Sequence, residues 1–218
     1  MTDRLFIAVV VASLLAGPLA AQEPEPSEPS AEVEEAPASS QPAPPAPVAQ
    51  DAPLSVEAAR AEMLDALFVR LSNPDASDWE SVQTEINAIW NQSGSPSMDL
   101  LARRADRAMR IEDFETAHLH LDDLVRLAPE FAEGWNKRAT VYFLQGDYGA
   151  SLEDIAETLL REPRHFGALS GLGVILDRVG DSEGALEAYR RAHKLHPNLP
   201  GAQQGIQKLE KEVEGERL

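Results

Sequence analysis

The sequence predicts an all-α protein in which antiparallel helical hairpins stack into a solenoid. The first observation is a repeat, because the chain matches itself without gaps at an offset of 34 residues over units 98–131, 132–165 and 166–199. The second is the spacing of apolar residues three and four positions apart, which is typical of helices with one buried face. The third is composition: aromatic residues make up only 6% of the chain, and Ala, Leu, Glu and Arg dominate its second half. Stacked hairpins satisfy all three, since each repeat buries its apolar face only against its neighbours.

Residues 1–21 have the order of a secretory signal peptide. Arg4 precedes an apolar run from Leu5 to Ala16, and small residues follow up to Ala21. A leader peptidase is expected to cut after Ala21, which predicts a periplasmic or secreted protein with no membrane span after cleavage. The alternative is an uncleaved anchor. The chain contains no cysteine, which excludes a disulfide framework and a lipid-modified cysteine, and a bacterial periplasm fits best.

Residues 22–54 form an acidic, proline-rich segment. Gln22 to Pro53 contains nine prolines, seven acidic residues and no basic residue. Such a composition cannot bury enough apolar surface to offset the entropy of ordering the chain, so a disordered linker is expected. It is interpreted either as a tether that gives the folded part reach or as a spacer without a partner of its own.

Two further helical regions flank the repeats. Residues 55–97 show two apolar stripes separated by Asn73 and Pro74, which predicts a helical hairpin that resembles a degenerate fourth unit. Residues 200–218 carry Ile206, Leu209 and Val213 on one side of a helix. This segment is expected to form a capping helix and tail, because a solenoid must cover its last apolar face.

Each unit repeats the same residue types at the same positions. Near the start of the first helix each unit has a large residue (Leu101, Trp135 and Leu169), and four positions later it has a small one (Ala105, Ala139 and Gly173). The second helix of each unit has a small residue (Ala117, Ser151 and Ala185), and a proline closes the unit (Pro129, Pro163 and Pro197). This pattern resembles the tetratricopeptide repeat family, in which two helices form each 34-residue unit. The resemblance implies that Trp135 is buried between helices.

The same resemblance implies a binding groove on the concave face of the solenoid, which is lined mainly by the first helix of each unit. The family's ligand-facing positions include, in this sequence, Arg103, Asp106, Met109, Arg110, Asn136, Lys137, Thr140, Phe143, Ser170, Val174 and Arg178. Amide and hydroxyl groups there could bind a peptide backbone, Phe143 could accept an apolar side chain, and Lys137 could meet an acidic group. At positions 104 and 138, arginine replaces the usual leucine, and its charged head is expected to reach water.

The chain is interpreted as a non-enzymatic protein. His193 and His196 are three residues apart, but no third metal ligand accompanies them, so a surface or helix-capping role is expected. His165 is expected to lie in a loop and Asp154 on an exposed helix face. No catalytic residue, metal ligand or cofactor is assigned. The net charge of −18 and the absence of a Lys/Arg cluster argue against nucleic acid as a partner.

The leading hypothesis is therefore a scaffold or adaptor of the cell envelope that binds a peptide segment of another protein. One subgroup of the family clamps chaperone carboxyl termini, but of its five clamp positions only Lys137 carries a suitable residue here. Two alternatives stay open: an enzyme, hydrolytic or metal-dependent, with its site in the N-terminal hairpin, and a structural protein that associates with itself. The identity of the partner and the oligomeric state are left open by the sequence.

Overall fold

The computed structural model describes residues 55–216, with side chains up to residue 212. The signal peptide and the linker lie outside the described residues and stay predictions. The described part folds into helices joined by short turns: α1 (Val56–Leu71), α2 (Trp79–Trp90), α3 (Pro96–Arg110), α4 (Phe114–Leu127), α5 (Ala132–Gln145), α6 (Tyr148–Arg161), α7 (Phe166–Arg178), α8 (Ser182–Leu195) and α9 (Pro200–Glu216). The all-α solenoid is confirmed, with α3–α4, α5–α6 and α7–α8 as its three hairpins.

The turns inside the three hairpins share the same local structure. A residue one or two positions after the first helix adopts a left-handed conformation, with φ of 80° at Gly146 and 87° at Gly180, and an aspartate at the N-cap follows before the second helix. The carboxylates of Asp113, Asp147 and Asp181 each accept a backbone N–H three residues later. These contacts satisfy backbone groups that the helix ends leave unpaired, so the turns are well specified by sequence.

Small residues bring the two helices of each hairpin together, as predicted. Ala105, Ala139 and Ala117 are buried at the crossings. In the third unit Gly173 faces the ring of Tyr189, and a Cβ at residue 173 would lie 2.7 Å from that ring. Only glycine allows α7 and α8 to pack at this distance.

Helix α9 covers the end of the third unit. Ala202 and Leu209 are fully buried against α7 and α8. A Cβ at Gly205 would lie 2.4 Å from Tyr189, so this ring is held between glycines of α7 and α9. The predicted capping helix is therefore present, and Tyr189 joins it to the repeat.

The N-terminal hairpin, α1–α2, does not stack as a fourth unit before α3. Its apolar core, which includes Phe68, Ile86 and Trp90, packs against Phe166 of α7 and the end of α8. Polar contacts support this position: Arg164 binds Asp65, the side chain of Gln83 contacts His196, and the side-chain amide of Asn198 donates to the backbone carbonyl oxygen of Pro74. The interpretation as a degenerate fourth unit is wrong: the aromatic residues of the hairpin find their partners at the opposite end of the solenoid.

Three expectations about the second unit are also corrected. Asp154 is buried, and Arg138 turns its guanidinium to it with two hydrogen bonds of 2.7 and 2.8 Å, while a third reaches Asp122. The head of Arg138 therefore does not reach water freely, since its side chain is only 18% exposed. Trp135 is half-buried, not buried: Arg138 and Arg161 lie on its ring, at 5.1 and 4.9 Å from the centroid.

Among residues 55–216, no helix is both long and apolar enough to cross a membrane.

Candidate functional site

An apolar notch opens on the concave face between α5 and α7. Its volume is about 130 Å³. Its lining includes the apolar side chains of Phe143 and Val174, the polar side chains of Asn136 and Thr140, and Gly171. The structure thus brings together four residues that the sequence predicted for the groove.

A wider cleft of about 410 Å³ adjoins the notch, and Asn136 and Gly167 line both. The far wall of the cleft is α2, which contributes Gln83, Asn87 and Asn91. Sequence reasoning missed these three amides. They recur at i, i+4 and i+8, on a different face of α2 from the buried Val82, Ile86 and Trp90; that polar stripe was the available signal.

A network of buried charges lies beneath the cleft. Lys137, whose side chain is 11% exposed, places Nζ 2.9 Å from a carboxylate oxygen of Asp106 and 3.3 Å from one of Glu133. Burial lowers the pKa of Lys137, but the two carboxylates raise it by more, so the ammonium stays charged. The expectation that Lys137 is free to meet an acidic ligand is therefore wrong. It joins α3 to α5.

The network continues to His165, which lies in the turn before α7, as expected, but is buried and caps that helix. Its Nδ1 accepts the backbone N–H of Ala168, so in the neutral ring the proton lies on Nε2, which donates to Glu133 over 3.1 Å. Burial raises the pKa of Glu133, but His165 and Lys137 lower it by more. On its other side His165 stacks on Trp90 with 4.3 Å between ring centroids. The network therefore ties α2 to the solenoid.

The remaining predicted residues take three positions. Ser170 lines the cleft. Arg178 is exposed, lies 5.2 Å over the ring of Phe143 and donates a hydrogen bond to the hydroxyl of Tyr148. Met109 packs into the core between α3 and α4. Arg178 thus contacts the ring of Phe143, whereas Met109 has a structural position.

Arg103 and Arg110 line neither the notch nor the cleft. They are exposed on α3 together with Arg104 and Arg107. The sequence-based statement that the chain lacks an arginine cluster is therefore corrected, since one helix gathers four of these side chains.

His196 occupies the C-cap of α8, which is one of the two positions expected for it, but its ring does not lie on the surface. His196 is fully buried, and its Nε2 lies 2.9 Å from the amide oxygen of Gln83. Burial, together with the nearby His193, lowers the pKa of His196 to about 4. Within the part of the chain that the structure describes, no group of three or more His, Cys, Asp or Glu side chains could hold a metal ion.

Comparison with known proteins identifies the family. The sequence profile of the tetratricopeptide repeat matches residues 103–162 and 139–200. A TPR repeat-containing protein of Rhizobium etli is 38% identical over 157 residues, which cover 72% of this chain and 77% of the relative. The chain belongs to the tetratricopeptide repeat family.

Solved structures share the fold of this TPR protein at low sequence identity. The Sgt2 TPR domain from Aspergillus fumigatus superposes with a TM-score of 0.53 at 22% identity, covering 56% of this chain and 83% of that domain. The first TPR of Spaghetti (RPAP3), bound to the HSP90 peptide SRMEEVD, gives 0.52 at 17% identity and covers 53% of this chain and 92% of its own. These likenesses support the architecture alone.

Proposed function

We propose that this TPR protein is a non-catalytic binding module that holds an extended segment of a partner protein in the notch and the adjoining cleft. The observation that carries the proposal is the notch itself, an open apolar recess bordered by side chains that can bind a peptide backbone. An apolar side chain of the segment would enter between Phe143 and Val174, and Asn136 would meet its backbone. The amides of Gln83 and Asn87 on α2 extend the polar rim.

The charge distribution favours a ligand held by apolar and amide contacts. Near the notch, Lys137 is already neutralised by Asp106 and Glu133, and Arg178 lies over Phe143. The HSP90 peptide seen with Spaghetti is acidic, and a clamp for such a terminus would need free cations at the cleft. We therefore propose a segment with an apolar anchor residue in preference to a chaperone carboxyl terminus.

The compartment is a second part of the proposal. The order of residues 1–21 and the absence of cysteine support export by a bacterial cell and a partner in its envelope. N-terminal sequencing of the protein after expression in a bacterial host tests this part. A product that begins near Gln22 in the periplasmic fraction supports it, and one that keeps Leu5–Ala16 in the membrane fraction contradicts it.

Filling the notch tests the binding site without removing any contact that stabilises the fold. A Cβ at Gly171 would lie 3.8 Å from Ile155, an ordinary contact, and glycine is a poor helix former. We expect Gly171→Leu to fold with at least the wild-type helix content. Peptides selected from a random phage-displayed library against the wild type should lose at least tenfold in affinity for this variant.

The matched control is Gly149→Leu, the same change at an exposed helical position of α6 where a Cβ meets only Asp147 at 3.7 Å. Selected peptides should bind this variant as tightly as the wild type. If they bind Gly171→Leu equally well, or lose affinity for both variants alike, the notch is not the binding site.

A further inference from the structure

The cleft beside the notch has two walls that come from distant parts of the chain. One wall is α2, and α5 and α7 form the other. At the end of α2, Trp90 stacks on His165 with 4.3 Å between ring centroids and lies 5.0 Å from the ring of Phe166. Near the start of α2, Gln83 contacts His196 over 2.9 Å. Because α2 is held at both ends, the cleft is formed before any ligand arrives.

Both walls have polar groups that a ligand can reach. On α2 the side-chain amide of Asn87 forms no hydrogen bond within the described part of the chain, and Gln83 uses only its amide oxygen there. On the opposite wall Asn136 donates to Glu133 at 3.2 Å, which leaves its amide oxygen. The hydroxyl of Ser170, which also lines the cleft, has no hydrogen-bond partner among residues 55–212. The cleft therefore offers neutral donors and acceptors on two facing sides.

The spacing of the amides on α2 matches the repeat of an extended peptide. Residues four apart on a helix lie about 6.0 Å apart along its axis, so Gln83, Asn87 and Asn91 form a row about 12 Å long. An extended strand rises about 3.3 Å per residue and turns the N–H and C=O of every second residue to the same edge, about 6.6 Å apart. A carboxamide can accept that N–H and donate to that C=O. Neighbouring amides of α2 can therefore bind alternate residues of one strand.

We propose that the cleft binds the main chain of the partner segment as an extended strand of about four residues, with the amide row of α2 on one edge and Asn136 and Ser170 on the other. This inference rests on the proposed function, because the strand continues from the apolar side chain held in the notch. Affinity in the cleft comes from the main chain, so side chains can vary there, and the notch selects the anchor residue. Proline is excluded from the strand, because it lacks the N–H that either edge requires.

Amide-to-ester substitution in a bound peptide tests the main-chain contact, because an ester removes one N–H and adds no bulk. The probe is a peptide selected from the phage-displayed library against the wild type, with an ester placed at one residue at a time. Asn87→Ala should weaken binding of the unmodified peptide by at least about fivefold, as the loss of its hydrogen bonds predicts. At one ester position the two losses should be non-additive by at least about threefold, because both changes remove the same contact. Isothermal titration calorimetry gives these affinities.

A second cycle with Asn136→Ala tests the extended conformation. Asn136 faces the other edge of the strand, so the ester position coupled to it should be an odd number of residues from the position coupled to Asn87. An even separation overturns the proposal. Additive losses at every ester position also overturn it, since they would mean that these amides do not bind the main chain.

The matched control is Gln204→Ala, which removes an exposed amide of α9 far from α2 in sequence. It should leave the affinity within about twofold of the wild type, as is usual for an exposed position. Alanine favours helix more than asparagine or glutamine, so circular dichroism should show unchanged helix content in all three alanine variants. Equal losses for Gln204→Ala and Asn87→Ala overturn the proposal.

Gly171→Leu separates this inference from the function on which it rests. A peptide that loses affinity for Gly171→Leu but not for Asn87→Ala supports binding in the notch and overturns the strand in the cleft. A peptide that binds both variants as tightly as the wild type overturns both. A peptide that is weakened by each variant, with the coupled ester positions described above, supports a site that α2 and the solenoid form together.

Discussion

The first and third units of the solenoid have the same local design and opposite surroundings. In the third unit α9 buries Leu209 against one side, and the N-terminal hairpin places Trp90 against Phe166 at the start of α7. In the first unit Leu100 and Ile111 stay exposed among arginines. Stacking of the repeats alone therefore does not decide which end of the solenoid is covered. Both flanking helical regions, the N-terminal hairpin and α9, pack against the third unit.

Removing a contact from each end measures this asymmetry, and the largest effect is expected at the covered end. Leu209→Ala removes a fully buried side chain and should lower the free energy of unfolding by about 2–4 kcal/mol. Leu100→Ala, at a side chain that is 42% exposed, should change it by about 0.5 kcal/mol or less. Chemical denaturation followed by circular dichroism gives both values. Equal losses would mean that the two ends are equally covered in solution.

The covered end should also be sensitive to acid. His196 is buried among Trp79, Phe166 and Gln83, with His193 as the nearby titratable group. Its pKa is about 4 in the folded protein and near 6.5 when unfolded, so the unfolded chain takes up a proton first as the pH falls. Stability should therefore drop by about 2 kcal/mol between pH 7 and pH 5, and the loss should end near pH 4.

His196→Gln is the control for this pH dependence. Glutamine cannot take up a proton in this range, so the variant should show a flatter stability profile between pH 7 and pH 5, even if it is less stable at pH 7. Measurements in this range avoid the carboxylates, including Glu133, whose pKa lies below its ordinary value. Parallel profiles for the variant and the wild type would show that His196 is not the responsible group.

The smallest expected effect compares the turns of the units. Glu112 has a φ of 57° where the later units have Gly146 and Gly180. A non-glycine side chain in this conformation costs about 1 kcal/mol of stability. Replacing it by glycine removes that cost, but glycine also increases the entropy of the unfolded chain, which offsets part of the gain. Glu112→Gly should therefore raise the free energy of unfolding by about 0.5 kcal/mol, as measured by denaturation.

The reverse change, Gly146→Ala, should lower stability by about 1 kcal/mol, since a Cβ there meets nothing within 4 Å and only the backbone conformation is penalised. Two variants without effect would mean that the turns tolerate either residue equally.

The sequence predicted the parts of the fold that local rules decide. The 34-residue spacing of small and large residues predicted the three hairpins, and the apolar stripe of residues 200–218 predicted the capping helix, because each of those contacts joins neighbouring segments. The family resemblance implied that Asn136, Thr140, Phe143 and Val174 face the groove, and the structure brings these four residues together at the notch.

It did not predict contacts between distant segments. An apolar stripe indicates that Phe68 and Trp90 are buried, but not which surface buries them. For the same reason the charged residues were misjudged: Lys137 and Asp154 have partners on other helices, and a charge that is paired can be buried. The sequence shows the polar stripe of α2, but the position of that stripe in the cleft depends on where the hairpin packs.

The position of the N-terminal hairpin also bears on the order in which the chain folds. Its contacts join residues far apart in sequence, with separations of 99 between Asp65 and Arg164, 113 between Gln83 and His196, and 124 between Pro74 and Asn198. The repeats can fold as they are synthesised, but α1 and α2 must wait for residues made near the end. We expect hairpin docking to be the slowest conformational step, since non-local contacts form slowly. A nascent or truncated chain would meanwhile expose Phe68 and Trp90, a surface that chaperones and proteases can recognise until synthesis is complete.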